Sequence, residues 1–247
     1  MSTGKARSGG KAAPDWRDSA PCPVGGPQPN RAQWSRVSDA EAELFARWSA
    51  GDERAGREFV GKHLPAVSRF FASKVGHVHE ADDLTARTFE LLLSKRAEFR
   101  RDSSPRTFLF GIAHHVLLGW VRDRQRADAR IDLGSVSAAA LGPSPSSVLH
   151  ARRQERLLLE ALRAVPLEAQ LVLELTYFEE MSRAEVAEIT GLPAGTVASR
   201  LRRARELLEL ELVRLAGSAA VATATSTDLE AWARALRASL VPDGDGL

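Results

Sequence analysis

Cysteine is nearly absent: Cys22 is the only one in 247 residues, and it lies in a stretch rich in proline and glycine. One thiol excludes an internal disulfide framework and a cysteine-built zinc site, so Cys22 reads as an unconstrained thiol. No apolar run approaches the ~20 residues that span a bilayer, and the N-terminus has no signal-type apolar segment. A cytoplasmic protein with no membrane partner is therefore expected. Also missing, at any readable spacing, are a carboxylate pair, an activated nucleophile and a phosphate-cradling glycine loop. No catalytic residue, no metal site and no cofactor is expected, and an enzyme is the least favoured class. His77 and His79 sit close together, but no Cys or further His completes a ligand set, so they read as loop residues. His63, on an apolar helix side, reads as a packed residue.

Net charge is small as well, 34 Lys and Arg against 32 Asp and Glu, giving +2. The positive charge is gathered rather than spread, which suits a protein touching a polyanion over a limited footprint. The first concentration is SRAEVAEITGLPAGTVASRLRRARELL, residues 182–208. Ser182 and Glu185 have the spacing of a capping box. Val186, Ala187 and Ile189 make one apolar side, Gly191 suits a left-handed helix end, and Pro193 blocks continuation. Thr190 stands where this motif is usually apolar, and its methyl group can still pack. A second helix near Ala194 turns Val197, Leu201 and Ala204 inward. Its other face carries Thr196, Ser199, Arg200, Arg202, Arg203 and Arg205, with no carboxylate before Glu206. This is a helix-turn-helix with a basic second helix, the form that enters a DNA major groove. A solvated arginine face on a structural hairpin is the plain alternative.

The second concentration runs from Lys95 to Arg130, with nine Lys or Arg against four acids. Phe99, Phe108, Phe110 and Trp120 interleave it. Basic residues with exposed aromatics form a stacking platform for single-stranded bases. Trp120 reads as core, whereas Phe99, at the loop start, fits core and platform equally.

The remaining chain is ordered around these two patches. Residues 1–38 hold many prolines and glycines and are expected to form a disordered tail, with Trp16 and Trp34 as isolated aromatics. From Asp39 the pattern is helical through about 130. Pro65 is expected to kink a helix or start a new one, and Asp82-Asp83 to begin the next. Residues 131–148, IDLGSVSAAALGPSPSSV, read as a flexible linker. Fully extended it reaches ~60 Å, or about 18 base pairs. Residues 149–215 form the second helical module. Residues 216–247 read as an extension in which Thr227-Asp228 caps a short helix, Leu229 to Leu240; folding back on a DNA-binding module and a weakly ordered tail fit it equally. The fold class expected is all-α: two helical modules joined by a slack linker.

Together these features resemble bacterial sigma factors of the extracytoplasmic-function (ECF) group, over roughly residues 40–213. VPLEAQLVLELTYFEEMSRAEVAEITGLPAGTVASRLRRARELL is similar to the family's region 4. AGDERAGREF, ADDLTARTFELLLSKRAEF and PRTFLFGIAHHVLLGWVRDRQR are similar to region 2. The resemblance implies that the chain binds core RNA polymerase, at the β′ clamp and β flap, and directs it to promoter DNA. Asp83, Leu84, Arg87, Phe89 and Glu90 would then meet the clamp. Phe99, Arg100, Arg106, His115, Arg122, Arg124 and Arg126 would capture and open the −10 element, handling single-stranded DNA. Arg183, Thr196, Ser199, Arg200, Arg202 and Arg203 would read the −35 duplex. An anti-sigma factor is a further implied partner. The chain departs from the family pattern at Ala86-Arg87, where a Gln-Glu pair is frequent. It departs again at Ala113-His114-His115, where Arg and Asn are frequent, and at Ala198, where Lys or Arg is. Two other classes stay open at this point. One is a polymerase-independent helix-turn-helix regulator with a sensing or dimerising N-terminal bundle; the other is a helical adaptor without nucleic-acid function.

Overall fold

A computed structural model describes residues 31–99, 103–125, 134–143 and 153–217, with side chains from Asp39 onward except at 125, 153 and 154. The described residues are helical throughout and contain no strand, only one isolated bridge between Ser137 and Pro166. Four long helices make the N-terminal bundle: α1 (Arg31–Ser49), α2 (Glu53–Ala72), α3 (Val78–Lys95) and α4 (Pro105–Gln125). A short α5 (Ala138–Leu141) follows, then α6 (Arg153–Ala164), α7 (Leu167–Leu173), α8 (Arg183–Thr190) and α9 (Ala194–Ala216). A 3₁₀ turn (Arg96–Glu98) extends α3, and a π turn (Glu174–Phe178) extends α7. No helix among the described residues is long and apolar enough to cross a membrane.

The bundle forms because its helices are capped outside and aromatic inside. Asp52 accepts from the Arg54 and Ala55 amides at the start of α2 and is held by Arg47. Gly51, at φ 104°, supplies the left-handed turn before it. Inside, Phe45, Phe59 and Trp48 meet edge-on or tilted at 5.1–5.6 Å, and Phe70 meets Phe71 at 5.2 Å and Phe110 at 5.8 Å. Such ring pairs add to the burial of their area. Glu41 of α1 reaches the α2 side chains Lys62 at 2.9 Å and His63 at 2.8 Å, the latter an ionic approach without straight hydrogen-bond alignment. Burial works to raise the Glu41 pKa, but these two partners outweigh it and hold it at about 2.

Three elements differ from the sequence expectations. Pro65 does not start a new helix: it lies inside α2, which runs from Glu53 to Ala72. Proline removes one backbone bond there, and burial of Phe59, His63, Ala66, Val67, Phe70 and Phe71 along one side outweighs that loss. Residues 31–38, assigned to the disordered tail, have helical backbone as the first turns of α1, since extending a formed helix costs little. α3 begins at Val78 rather than at Asp82, which places His79 inside the helix and His77 at its N-cap position. Cys22, Trp16, the tail through residue 30, Arg100, Arg126 and the Leu229 to Leu240 segment lie outside the described residues.

The C-terminal module has a core of its own. Leu158, Leu162 and Val165 from α6 and its C-terminal end pack with Leu173 and Tyr177, and with Ala204, Leu208 and Leu212 of α9. Residues 134–143, read as slack linker, are instead fastened to this module. Ser137 caps α5 and bridges Pro166, and the Leu167 amide donates to the Val136 carbonyl at 2.7 Å. Arg163 completes the attachment. It is 1% exposed and donates to the carbonyls of Ala138, Gly142 and Pro143 at 2.8–3.2 Å.

Candidate nucleic-acid interface

The helix-turn-helix is built as its residues dictate. Ser182 Oγ accepts the Glu185 amide at 3.3 Å while the Glu185 carboxylate accepts the Ser182 amide at 2.9 Å, so the start of α8 is closed on both sides. Gly191 ends α8 at φ 70°. Thr190, the one polar residue on the packed side, turns its hydroxyl to the Val186 carbonyl at 2.6 Å and leaves its methyl for contact. α9 then presents a buried spine of Val197, Ala204, Leu208 and Leu212. On its opposite side Ser199, Arg200, Arg202, Arg203 and Arg205 are exposed; Thr196 is half-buried, and Arg183 is exposed at the start of α8. Several arginines are held in place: Arg200 pairs with Glu168 of α7 at 3.2 Å, Arg203 with Glu206 at 3.0 Å, and Arg205 lies over the Tyr177 ring at 5.2 Å. Exposed pairs of this kind are worth little and exchange readily for a phosphate.

The second patch is more divided. Phe99 is half-buried, its ring 5.0 Å from that of Phe45, edge-on, and 5.4 Å from that of Phe108, tilted, so part of it is already engaged within the bundle. His115 and Arg122 are exposed on α4. Arg124 is tied back to Glu80 at 2.6 and 2.8 Å and lies over the Trp120 ring at 4.7 Å, while the Trp120 indole donates to the same carboxylate at 2.9 Å. Burial works to raise the Glu80 pKa, but those bonds outweigh it and lower it. The third face lies on α3, where Asp83, Arg87 and Glu90 are exposed and Leu84 and Phe89 half-buried, beside an exposed Leu93.

Arg106 does not face solvent with the others. It donates to Glu179 Oε2 at 2.5 Å, and Glu179 is 4% exposed and belongs to the C-terminal module. The structure thus joins the modules along a seam in which α8 packs on α4. Arg69 reaches Glu179 Oε1 at 3.5 Å, and Thr107 Oγ1 donates to Glu185 Oε1 at 3.0 Å. Lys74, fully buried, donates to Glu174 and to the Phe70 carbonyl. Burial pushes the Lys74 pKa down and the Glu174 carboxylate opposes that. Arg163 crosses the seam as well, donating to the Ser73 carbonyl at 2.9 Å; burial lowers its pKa too, against Glu174. His114, next to the exposed His115, is buried here and hydrogen-bonds the Ile189 backbone. Desolvation pulls its pKa down to about 4, helped by His115 and Lys74, against that hydrogen bond.

Sequence reasoning missed these seam residues. Lys74, Arg163, Glu174 and Glu179 carry charges that read as solvated in any helical pattern. No local pattern marked them, because each meets its partner only across the seam; the Glu179 amide closes the π turn on the Glu174 carbonyl at 3.0 Å.

Comparison with known proteins bears on these surfaces. Family models described as "Sigma-70 region 2" and "Sigma-70, region 4" match residues 59–127 and 155–208. The chain is 32% identical over 151 residues to the RNA polymerase sigma factor YlaC of Bacillus subtilis (strain 168), covering 61% of this chain and 86% of that one. It is 31% identical over 180 residues to the ECF RNA polymerase sigma factor SigC of Mycobacterium tuberculosis (strain CDC 1551 / Oshkosh), covering 70% and 92%. Among solved structures it is similar to CnrH in complex with the cytosolic domain of CnrY, at TM-score 0.53 and 25% identity over 71% of this chain and 98% of that one. The sigma factor RpoE of Bartonella quintana, solved in complex with the anti-sigma factor NepR, shares the fold at TM-score 0.50 and 23% identity, over 64% and 96%.

Proposed function

This chain belongs to the bacterial RNA polymerase sigma factors of the extracytoplasmic-function group, and we propose that its three exposed faces divide the work of initiation. It binds core RNA polymerase, directs it to promoters through their −35 and −10 elements, and assists strand opening. An anti-sigma factor completes the partner set that family membership implies. The role is that of an initiation factor; the bond-making belongs to the polymerase.

In our reading the α9 face reads the −35 duplex. Ser199, Arg200, Arg202 and Arg203 meet base edges and phosphates, with Thr196 and Arg183 at the rim. An arginine paired bidentately to guanine discriminates by roughly 1–3 kcal/mol. The α4 face, with His115 and Arg122 exposed and Arg106 and Arg124 available on exchange of partners, takes the −10 element. Arg100 and Arg126 extend that face in sequence. Stacking of an extruded base contributes about 1–3 kcal/mol and offsets lost pairing, so opening needs positioning rather than chemistry. Phe99, half-buried against the Phe45 and Phe108 rings, keeps the rest of its ring for such a base. Asp83, Leu84, Arg87, Phe89 and Glu90 on α3 dock the polymerase clamp.

The observation that carries this reading is the side-chain division of α9. A buried spine fixes the helix, and Ser199, Arg200, Arg202, Arg203 and Arg205 stand exposed on the opposite side of its N-terminal half. The test is reconstituted transcription with core polymerase, the chain and a pool of genomic fragments, with start sites mapped. New start sites sharing two spaced elements are expected. Specific operator binding by the chain alone, without any polymerase-dependent start, would instead support the free-standing regulator.

A further inference from the structure

The side of α9 that carries the duplex-reading residues continues past them. Ser199, Arg203, Glu206, Leu210 and Val213 recur at steps of three and four, so they form one stripe that runs toward Gly217. The first part of the stripe is polar and basic. The last part is apolar and bare: Leu210 is 61% exposed and Val213 42%, on the side opposite the buried Leu208 and Leu212. Two apolar side chains are a small patch for a free partner, but a tethered one acts at an effective concentration on the order of millimolar.

The chain itself supplies such a partner beyond Gly217. The sequence after that residue lies outside the described residues, and its spacing puts Leu229, Trp232, Leu236 and Leu240 on one side of a helix, with Glu230, Arg234 and Arg237 off it. Gly217, at φ 65°, turns the chain off the axis of α9. The eleven residues 218–228 span up to ~36 Å when extended. Val213 and Leu210 lie only about 6 and 10 Å back from Gly217 along the helix. Residues 229–240 make twelve, a helix ~18 Å long, which laid antiparallel on α9 ends level with its arginines. The next acids in the chain are Asp243 and Asp245. Arg203 holds only the exposed Glu206, at 3.0 Å, a pair that exchanges readily. We propose that the Leu229 to Leu240 segment packs antiparallel on Leu210 and Val213 and sets Asp243 and Asp245 against Arg202 and Arg203, in competition with duplex phosphates. The competition rests on the reading of α9 as the duplex face; the docking does not.

Hydrogen exchange of the full-length chain, read by mass spectrometry, tests the docking. A lone helix this short is marginal in water, so protection of its amides reports a partner. Amides of 229–240 should exchange about tenfold or more slower than an unstructured chain. Leu210→Gln, at an exposed site and with a good helix former, should remove that protection while amides around Leu208 and Leu212 stay protected. Fast exchange of 229–240 in the wild type, or protection that Leu210→Gln leaves in place, would overturn the proposal. So would protection that appears only with rising protein concentration and a doubled mass in solution, which assigns the patch to a second copy. A fluorescent duplex of mixed sequence at fixed low salt tests the competition. Leu210→Gln should bind it about threefold to tenfold tighter, the gain expected when a scarce open state becomes common. Asp243→Asn with Asp245→Asn should keep the protection and tighten binding about threefold, whereas Glu209→Gln, an exposed acid off the stripe, should change it less than about twofold. Equal tightening by the aspartate pair and by Glu209→Gln would overturn the proposed contact. Failure of the underlying reading looks different: Arg203→Ala would then leave duplex affinity unchanged, and the docking would stand or fall on the exchange data.

Discussion

His114 should make the stability of this protein fall in mildly acidic solution. Its imidazole is buried beneath α8 and titrates at about 4 in place of the ordinary 6.5. The folded chain therefore holds fewer protons at this site than the unfolded one, and its stability is full above pH 6.5. It declines as pH falls through the window between the two values, where the unfolded imidazole is already charged. The loss works out at about 1.4 kcal/mol near pH 5.5 and about 2.5 kcal/mol near pH 4.5. Glu41, lowered in the same direction, adds only about 0.4 kcal/mol to that loss by pH 4.5. Urea unfolding across this range, on wild type and on His114→Gln, isolates the effect. Glutamine keeps an N–H for the Ile189 carbonyl and does not titrate, while all other groups titrate equally in both. The gap between the two proteins should shift by about 2.5 kcal/mol in the variant's favour between about pH 7.5 and 4.5. Parallel curves would refute the buried neutral imidazole.

Other consequences follow from single contacts. Glu41→Gln should cost roughly 1–3 kcal/mol at neutral pH, since a carboxylate pulled down to about 2 stabilises the fold above pH 4.5 and loses that contribution as pH falls toward 2; denaturation curves of variant and wild type should converge at low pH. Gly56→Ala should destabilise the bundle by about 1–3 kcal/mol, because a Cβ there would stand 2.3 Å from Trp48 Nε1; thermal melting reads it directly. Arg203→Ala should weaken binding of promoter duplex by the polymerase-bound chain and flatten its salt dependence by about one unit of slope, measured by salt titration.

How far the sequence carried depended on whether the chemistry was local. The helix-turn-helix was legible because Ser182, Glu185, Gly191 and Pro193 act within one turn of their positions in the chain. The bundle was legible through the spacing of Phe45, Trp48, Phe59 and Phe70. What escaped is long-range and polar. Lys74 meets Glu174, and Arg106 meets Glu179, only once the modules fold together, and no periodicity marks a charge that is destined for burial. The same holds for the linker. Its composition is that of slack chain, yet one arginine twenty residues on fastens Pro143 through a backbone carbonyl that any sequence would offer. Phe99 shows the intermediate case: composition left it between core and platform, and it is half-buried.

The central claim is that this chain gives core polymerase the ability to find and open promoters. Permanganate footprinting of thymines on a promoter mapped in the reconstituted system tests it most directly. Reactive thymines confined to the −10 region, appearing only when chain and core polymerase are both present, are the predicted result. An unreactive −10 region with both present, or the same reactivity with polymerase alone, would contradict it.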